Sequence, residues 1–297
     1  MTNPTAHQDE VGPIVLRPRE VSFDWSGSAV YFLPEEPYAS HWTSSVHYIF
    51  AAGEPVMADA VRRAGEHITD PELREAAFGY AAQEMMHAQS HDSAMWGVLD
   101  ANGIDPRPLI RQADFAAAIY RKMVSSATGA TSHRLLVLSL AVFGGVEMFA
   151  TALGNWYLNN DLEKFSPDPM MLDLLRWHSA EEVEHRHVVF DVGRHLGLGY
   201  FTRTVLGVGT AIGIFGLMAR GAKFLVHADP ALPNIGYVRL MRELVRASKR
   251  GAFPPVGLML RTLGRYMRPS HTPEHEGDTA QAVAYLAKSR AVRAVSV

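Results

Sequence analysis

Apolar positions along this 297-residue chain recur every three or four residues rather than every second one, so the pattern predicts helices and almost no strands. Residues 1–37 follow neither period. They are punctuated by Pro13, Pro18, Pro34 and Pro37, and are expected to be irregular, with a short strand at 29–33. From residue 38 the expected helices span 38–67 (interrupted at Gly53 and Pro55), 69–101, 108–126, 131–164 and 169–196. Asp70-Pro71 opens the second as a cap followed by Pro at the first helical position, and Asn102-Gly103 closes it. Gly197 and Gly199 stop the fifth. The remainder reads as three shorter helices, with a poorly ordered stretch around 269–278. The expected organisation is an irregular segment 1–37, a helical bundle 38–200 and a helical extension 201–297 whose last ~25 residues are poorly ordered. The fold class is all-α.

Composition narrows the chemistry. There are no cysteines, which excludes disulfides, thiolate metal sites and cysteine nucleophiles, while 14 histidines leave imidazole and carboxylate as the strong metal ligands. A net charge of −3 advertises no nucleic-acid partner. No P-loop, nucleophile-elbow or dinucleotide motif is present. The first residues lack the apolar core of a secretory signal, so a cytoplasmic protein is expected. Charge is divided unevenly, −10 over residues 1–220 and +7 over 221–297. The charge-free run from Thr204 to Ala219 has sixteen residues, short of the ~20 needed to span a bilayer. It reads as a core helix with a basic tail or as a peripheral membrane contact through 201–225.

Two helices carry solitary acids. Glu147 is the only charged residue between Leu135 and Asn160, and Glu54 the only one between Pro37 and Ala58. A helix apolar nearly all round is expected to be buried, and a buried carboxylate needs a partner because desolvation costs several kcal/mol. Either acid alone fits a structural ion pair.

Two other helices carry Glu-x-x-His, a spacing that puts both side chains on one face. Glu84 and His87 share theirs with His91, Leu73, Ala77, Tyr80, Ala88, Met95 and Val98, whereas Arg74, Glu75, Gln89 and Asp92 point away. In the second helix two pairs overlap. The apolar stripe of Met171, Leu174, Leu175, Val189, Val192 and Leu196 selects Glu182/His185 for the interior. Glu184/His187, with Asp173, Arg176, Asp191 and Arg194, are expected on a solvated face. The order Glu54, Glu84/His87, Glu147, Glu182/His185 therefore repeats one acid and then one pair, 30 and 35 residues apart. That is the ligand pattern of dinuclear carboxylate four-helix bundles. Four carboxylates balance two divalent ions, so Glu54, Glu84, His87, Glu147, Glu182 and His185 are the expected metal ligands.

The segments Phe50-Ala-Ala-Gly-Glu54, Asp70-Pro71-Glu72-Leu73, Gln83-Glu84-Met-Met-His87-x-x-x-His91, Glu147 and Trp177-His-Ser-Ala-Glu181-Glu182-Val-Glu184-His185 through Val192 resemble the bacterial family called "predicted metal-dependent hydrolase". The resemblance covers roughly residues 20–260 and implies a ferritin-like fold. Pro55 departs from the helix-friendly residue expected after Glu54. By the same resemblance, Glu181 supports the His87 imidazole and Gln83 that of His185. His91 is either a further ligand or a supporting or cavity histidine, and His178 a supporting one.

Sulfur-free ligation suits two iron ions, with manganese or zinc as alternatives. Ala81, Ala88, Gly144, Gly145 and Thr151 are expected to leave space for a small substrate, in surroundings made apolar by Phe50, Met57, Tyr80, Phe143 and Met148. The leading expectation is O2-dependent oxidation of a small apolar molecule by a di-iron centre. The alternative is hydrolysis by a metal-bridging hydroxide with Glu181 or His91 handling protons, and a third class is non-enzymatic iron handling. A homodimer is the default oligomer.

Overall fold

The computed structural model describes residues 15–294, and no strand is present among them. Of the segment predicted to be irregular, residues 1–14, Pro13 included, lie outside that range, as do 295–297. The strand expected at 29–33 does not form. The Ser40 hydroxyl takes both the N–H of Leu33, at 3.0 Å, and its carbonyl, at 3.2 Å, leaving neither for a ladder.

The helices are α1 (Pro37–Ser44), α2 (His47–Gly65), α3 (Pro71–Ala94), α4 (Arg107–Ser125), α5 (Gly129–Asn159), α6 (Pro169–His185), α7 (Val188–His195), α8 (Tyr200–Ala228), α9 (Tyr237–Arg250), α10 (Val256–Tyr266), α11 (Thr279–Leu286) and α12 (Arg290–Ala294). Asp70 and Asp168, each followed by Pro, cap α3 and α6 by accepting from two backbone N–H groups. Beyond α3 the chain continues through a π turn, Met95–Leu99, and a short 3-10 turn to Gly103, at φ 83°. α2 runs through Pro55 as one helix and buries Glu54.

Two expected helices are divided. The first breaks at Ser45, whose hydroxyl donates to the Trp42 carbonyl at 2.7 Å. The fifth breaks directly after His185. There the Arg186 guanidinium bonds the Val183 carbonyl, the acceptor an unbroken helix would give to the His187 N–H. Arg186 reaches on to the Pro273 carbonyl and the Thr279 hydroxyl.

α2 packs along α3 and α5 along α6, and the two pairs meet where α2 touches α5 and α3 touches α6. α8 lies across α5 and α1, α10 against α5, and α11 and α12 against α6. Gly145 and Gly207 let α5 and α8 cross closely: a Cβ on Gly145 would stand 2.6 Å from the Gly207 carbonyl oxygen. Both α5 and α8 are long and apolar enough to cross a membrane by length and composition. Two-thirds of the most apolar stretch of α5 is buried in the protein, against one-third in α8.

The C-terminal third differs from its expectation. α8 is a single 29-residue helix rather than a short one. Residues 269–278 include a 3-10 turn at Pro273–His275, an ion pair between Glu276 and Arg265, and Gly277 against Val183. The tail forms α11 and α12, tied down by Asp173, which accepts from the Tyr285 hydroxyl at 2.6 Å, the Ser289 hydroxyl at 3.2 Å and the Ala291 N–H at 3.0 Å.

Candidate metal centre

α2, α3, α5 and α6 bring Glu54, Glu84, His87, Glu147, Glu182 and His185 together in the interior, none more than 4% exposed. Ligand atoms of Glu54, Glu84 and His87 lie within 4.8 Å of one another, and so do those of Glu84, Glu147 and His185. Glu84 thus belongs to two triads. Glu182 spans both, with Oε1 3.6 Å from His87 Nδ1 and 3.4 Å from His185 Nε2.

These residues leave an unusual polar deficit. Both oxygens of Glu54 and of Glu84, one oxygen each of Glu147 and Glu182, His87 Nδ1 and His185 Nε2 are buried without a hydrogen-bond partner. An unmatched buried polar group costs about 1–3 kcal/mol, more when charged. Eight together approach the whole stability of a domain, roughly 5–15 kcal/mol. The orphaned atoms belong to the six expected ligands, five of which, all but Glu182, make up the two triads. A set of carboxylate oxygens and imidazole nitrogens converging in this way fits divalent cations.

The electrostatics agree. Burial, then the charges of Glu84 and Glu182, push the Glu54 carboxyl well above its ordinary range. Burial, then Glu182 and Glu84, do the same to Glu147, against the pull of a hydrogen bond from Tyr80. Burial disfavours a charged His87, but Glu181 and Glu84 outweigh it and hold the imidazole well above its usual value. A site that raises two carboxyls and an imidazole draws in positive charge, as protons or as metal ions.

Each imidazole is oriented from behind. His87 Nε2 donates to Glu181 Oε2 at 2.9 Å, leaving Nδ1 to face the cluster. His185 Nδ1 donates to Gln83 Oε1 at 3.1 Å, leaving Nε2 to face it. Because a carboxylate or amide oxygen can only accept, both tautomers are fixed by these bonds. Glu147 Oε1 accepts from the Tyr80 hydroxyl at 2.6 Å, leaving Oε2 free. Behind Glu181 stands Arg19, 2.6 Å from its Oε1 and bonded to both oxygens of Glu184 at 2.8 and 2.9 Å. Glu184 is therefore not on a solvated face. Its side chain is 3% exposed and sits under the N-terminal segment.

A second chain of imidazoles leads away from the cluster. His178 Nε2 donates to Glu182 Oε1 at 2.8 Å and lies 3.5 Å from Glu54 Oε1. His91 Nε2 is 2.6 Å from His178 Nδ1, and His91 Nδ1 is 2.7 Å from His47 Nδ1. With the carboxylate accepting at one end, each ring donates towards Glu182. Burial keeps the chain neutral, pushing His47 down to about 3 and lowering His91 and His178. His91 can also group with Glu54 and His178 as metal donors, but both its nitrogens are engaged by other imidazoles.

The space beside the cluster differs from expectation. Gly145 accommodates the α8 backbone, not a substrate. Gly144, Met148 and Thr151 do line a void with Glu147, but it measures only about 30 Å³. Another, of about 20 Å³, touches Phe50, His91, His178 and Glu182. Sequence reasoning missed Arg19 and His47. Arg19 lies in a segment without periodicity, and its only trace is the acid pair Glu181/Glu184 on one face of α6. His47 sits at the start of α2 in an otherwise apolar run.

A buried set of converging carboxylates and imidazoles defines a metal-binding protein class. The model of the family described as predicted metal-dependent hydrolase matches residues 17–277, and the chain belongs to that family. Comparison with curated proteins and with solved structures returned no match.

Proposed function

We propose that α2, α3, α5 and α6 form a ferritin-like bundle holding two divalent ions, and that the protein is a metal-dependent enzyme acting on a small, largely apolar organic molecule. The carrying observation is the convergence of Glu54, Glu84, His87, Glu147 and His185, whose buried donor atoms lack hydrogen-bond partners, with Glu182 Oε1 between the two imidazoles. Glu84 and Glu182 are assigned as the shared carboxylates, because each approaches both halves of the cluster. Glu54/His87 and Glu147/His185 complete the two halves.

Hydrolysis is the reaction class favoured by the family description. When bound, divalent ions supply Lewis acidity and an activated water near neutral pH, and an iron pair supplies reactivity towards O2. Around them, Glu181 and Gln83 hold the imidazoles in the ligating tautomer, and His87, with Arg19 behind it, keeps Glu181 ionised against its burial. Tyr80 fixes Glu147. The row Glu182–His178–His91–His47 provides a hydrogen-bonded path for a proton between the cluster and His47 at the start of α2. Oxidation is a second reading, supported by a donor set of carboxylates and imidazoles that suits iron.

One experiment separates them. Protein loaded in turn with iron, manganese and zinc is assayed against short aliphatic esters, and the reduced iron form is mixed with O2. Ester turnover without O2 uptake supports hydrolysis. Stoichiometric O2 uptake with a transient absorbance supports oxidation. Failure to retain metal removes both readings.

A further inference from the structure

Behind the centre, on the side built by the C-terminal third, α5, α8, α9 and α10 enclose a cavity of about 220 Å³. All its lining side chains are apolar except that of Thr262, whose hydroxyl already accepts from Arg265 at 3.1 Å. Its walls therefore offer a single hydroxyl, too little to recognise a sugar, nucleotide or carboxylate. The cavity opens between α8 and α10 at Ile212 and Leu260, each 64% exposed.

Two residues of α5 connect this cavity to the cluster. Met148 also lines the small void that holds Glu147, and Leu153 the one that holds Glu182 and His178. The apolar cavity is thus one side chain away from a candidate ligand on each route. An engineered apolar cavity of about 150 Å³ takes benzene. By proportion, 220 Å³ holds roughly eight or nine carbons.

We infer that this cavity is the binding site for an alkyl chain, entering between Ile212 and Leu260 and extending towards Met148 and Leu153. As a substrate site it rests on the proposed function; as a chain-binding site it does not. The C-terminal third of the chain thereby gains a role in specificity, selecting chain length while the cluster performs the chemistry.

The test is calorimetric binding of 1-alkanols from four to twelve carbons to the purified full chain. Each methylene buried should tighten binding about fourfold up to roughly eight or nine carbons, after which the gain stops. Ala211→Leu fills part of the cavity and should bring the break down by about three carbons, and Leu263→Ala should move it up by a similar amount. Either variant suffices should the other not fold. Chelator-treated and metal-loaded protein should give the same alkanol series, so failure of the metal reading and failure of this one are told apart. Absence of saturable binding, a series that tightens through twelve carbons without a break, or a break unmoved in the folded variants would overturn the inference.

Discussion

Replacing Glu84 by Gln should stabilise the metal-free protein and destabilise the metal-loaded one. Glu84 belongs to both triads and leaves both carboxylate oxygens unpaired. In the metal-free state its charge is one of the causes that push Glu54 and Glu147 upwards. Like charges at 4.8 Å repel by about 3 kcal/mol at an effective dielectric of 20. Protonation of the neighbouring carboxyls relieves part of that, and losing the attraction between Glu84 and His87 offsets more, so the neutral amide should recover about 1 kcal/mol. The chelated variant should therefore melt about 2 °C above chelated wild type. With metal present the sign reverses. Losing a carboxylate shared by both triads should cost at least the 10–100-fold in affinity seen for outer supporting groups. At saturating metal a 100-fold loss removes about 2.7 kcal/mol of linked stability. The assay is a pair of thermal melts for each protein, with chelator and with metal. A shift of the same sign under both conditions would refute a metal centre built on these carboxylates.

Other outcomes follow from the same geometry. Glu181→Gln and Gln83→Leu should each weaken metal binding by about 10–100-fold in a chelator competition, with the ions still bound at high concentration; unchanged affinity would remove the orienting role of these side chains. Gly145→Ala should cost about 1–3 kcal/mol, because its Cβ meets the Gly207 backbone, whereas Gly213→Ala, with open space at that position, should be neutral or stabilising by up to ~1 kcal/mol; equal melting shifts would contradict the close α5–α8 crossing. His47 is pushed down to about 3, so the unfolded chain binds a proton there below its ordinary value near 6.5 while the folded chain does not. Its contribution is complete above pH ~6.5 and declines by about 1.4 kcal/mol per unit as pH falls towards 3. His47→Gln should flatten that part of the stability profile, and an unchanged slope would place the acid sensitivity elsewhere.

The sequence reading reached furthest where neighbouring residues decide the outcome. The cap at Asp70, the glycine turn at Gly103 and the inward faces of Glu84/His87 and Glu182/His185 are all local, set by helical period and backbone chemistry. It failed where a remote segment intervenes. Asp173 and Glu184 lie on the polar side of α6, and periodicity alone assigns that side to water. The tail covers Asp173, and Arg19 covers Glu184, 165 residues away in sequence. The break after His185 has the same origin, since Arg186 turns aside to meet Pro273 and Thr279. Glycine was ambiguous for a related reason. A small residue beside a ligand signals either space or close contact, and at Gly145 the α8 backbone supplies the contact.

The most direct measurement is anomalous scattering at the iron, manganese and zinc edges from crystals of metal-replete protein, paired with elemental analysis of the same preparation. Two ions per chain are expected, one held by Glu54, Glu84 and His87 and the other by Glu84, Glu147 and His185, with Glu182 against both. At most one ion per chain, or ions seated away from these side chains, would contradict the account.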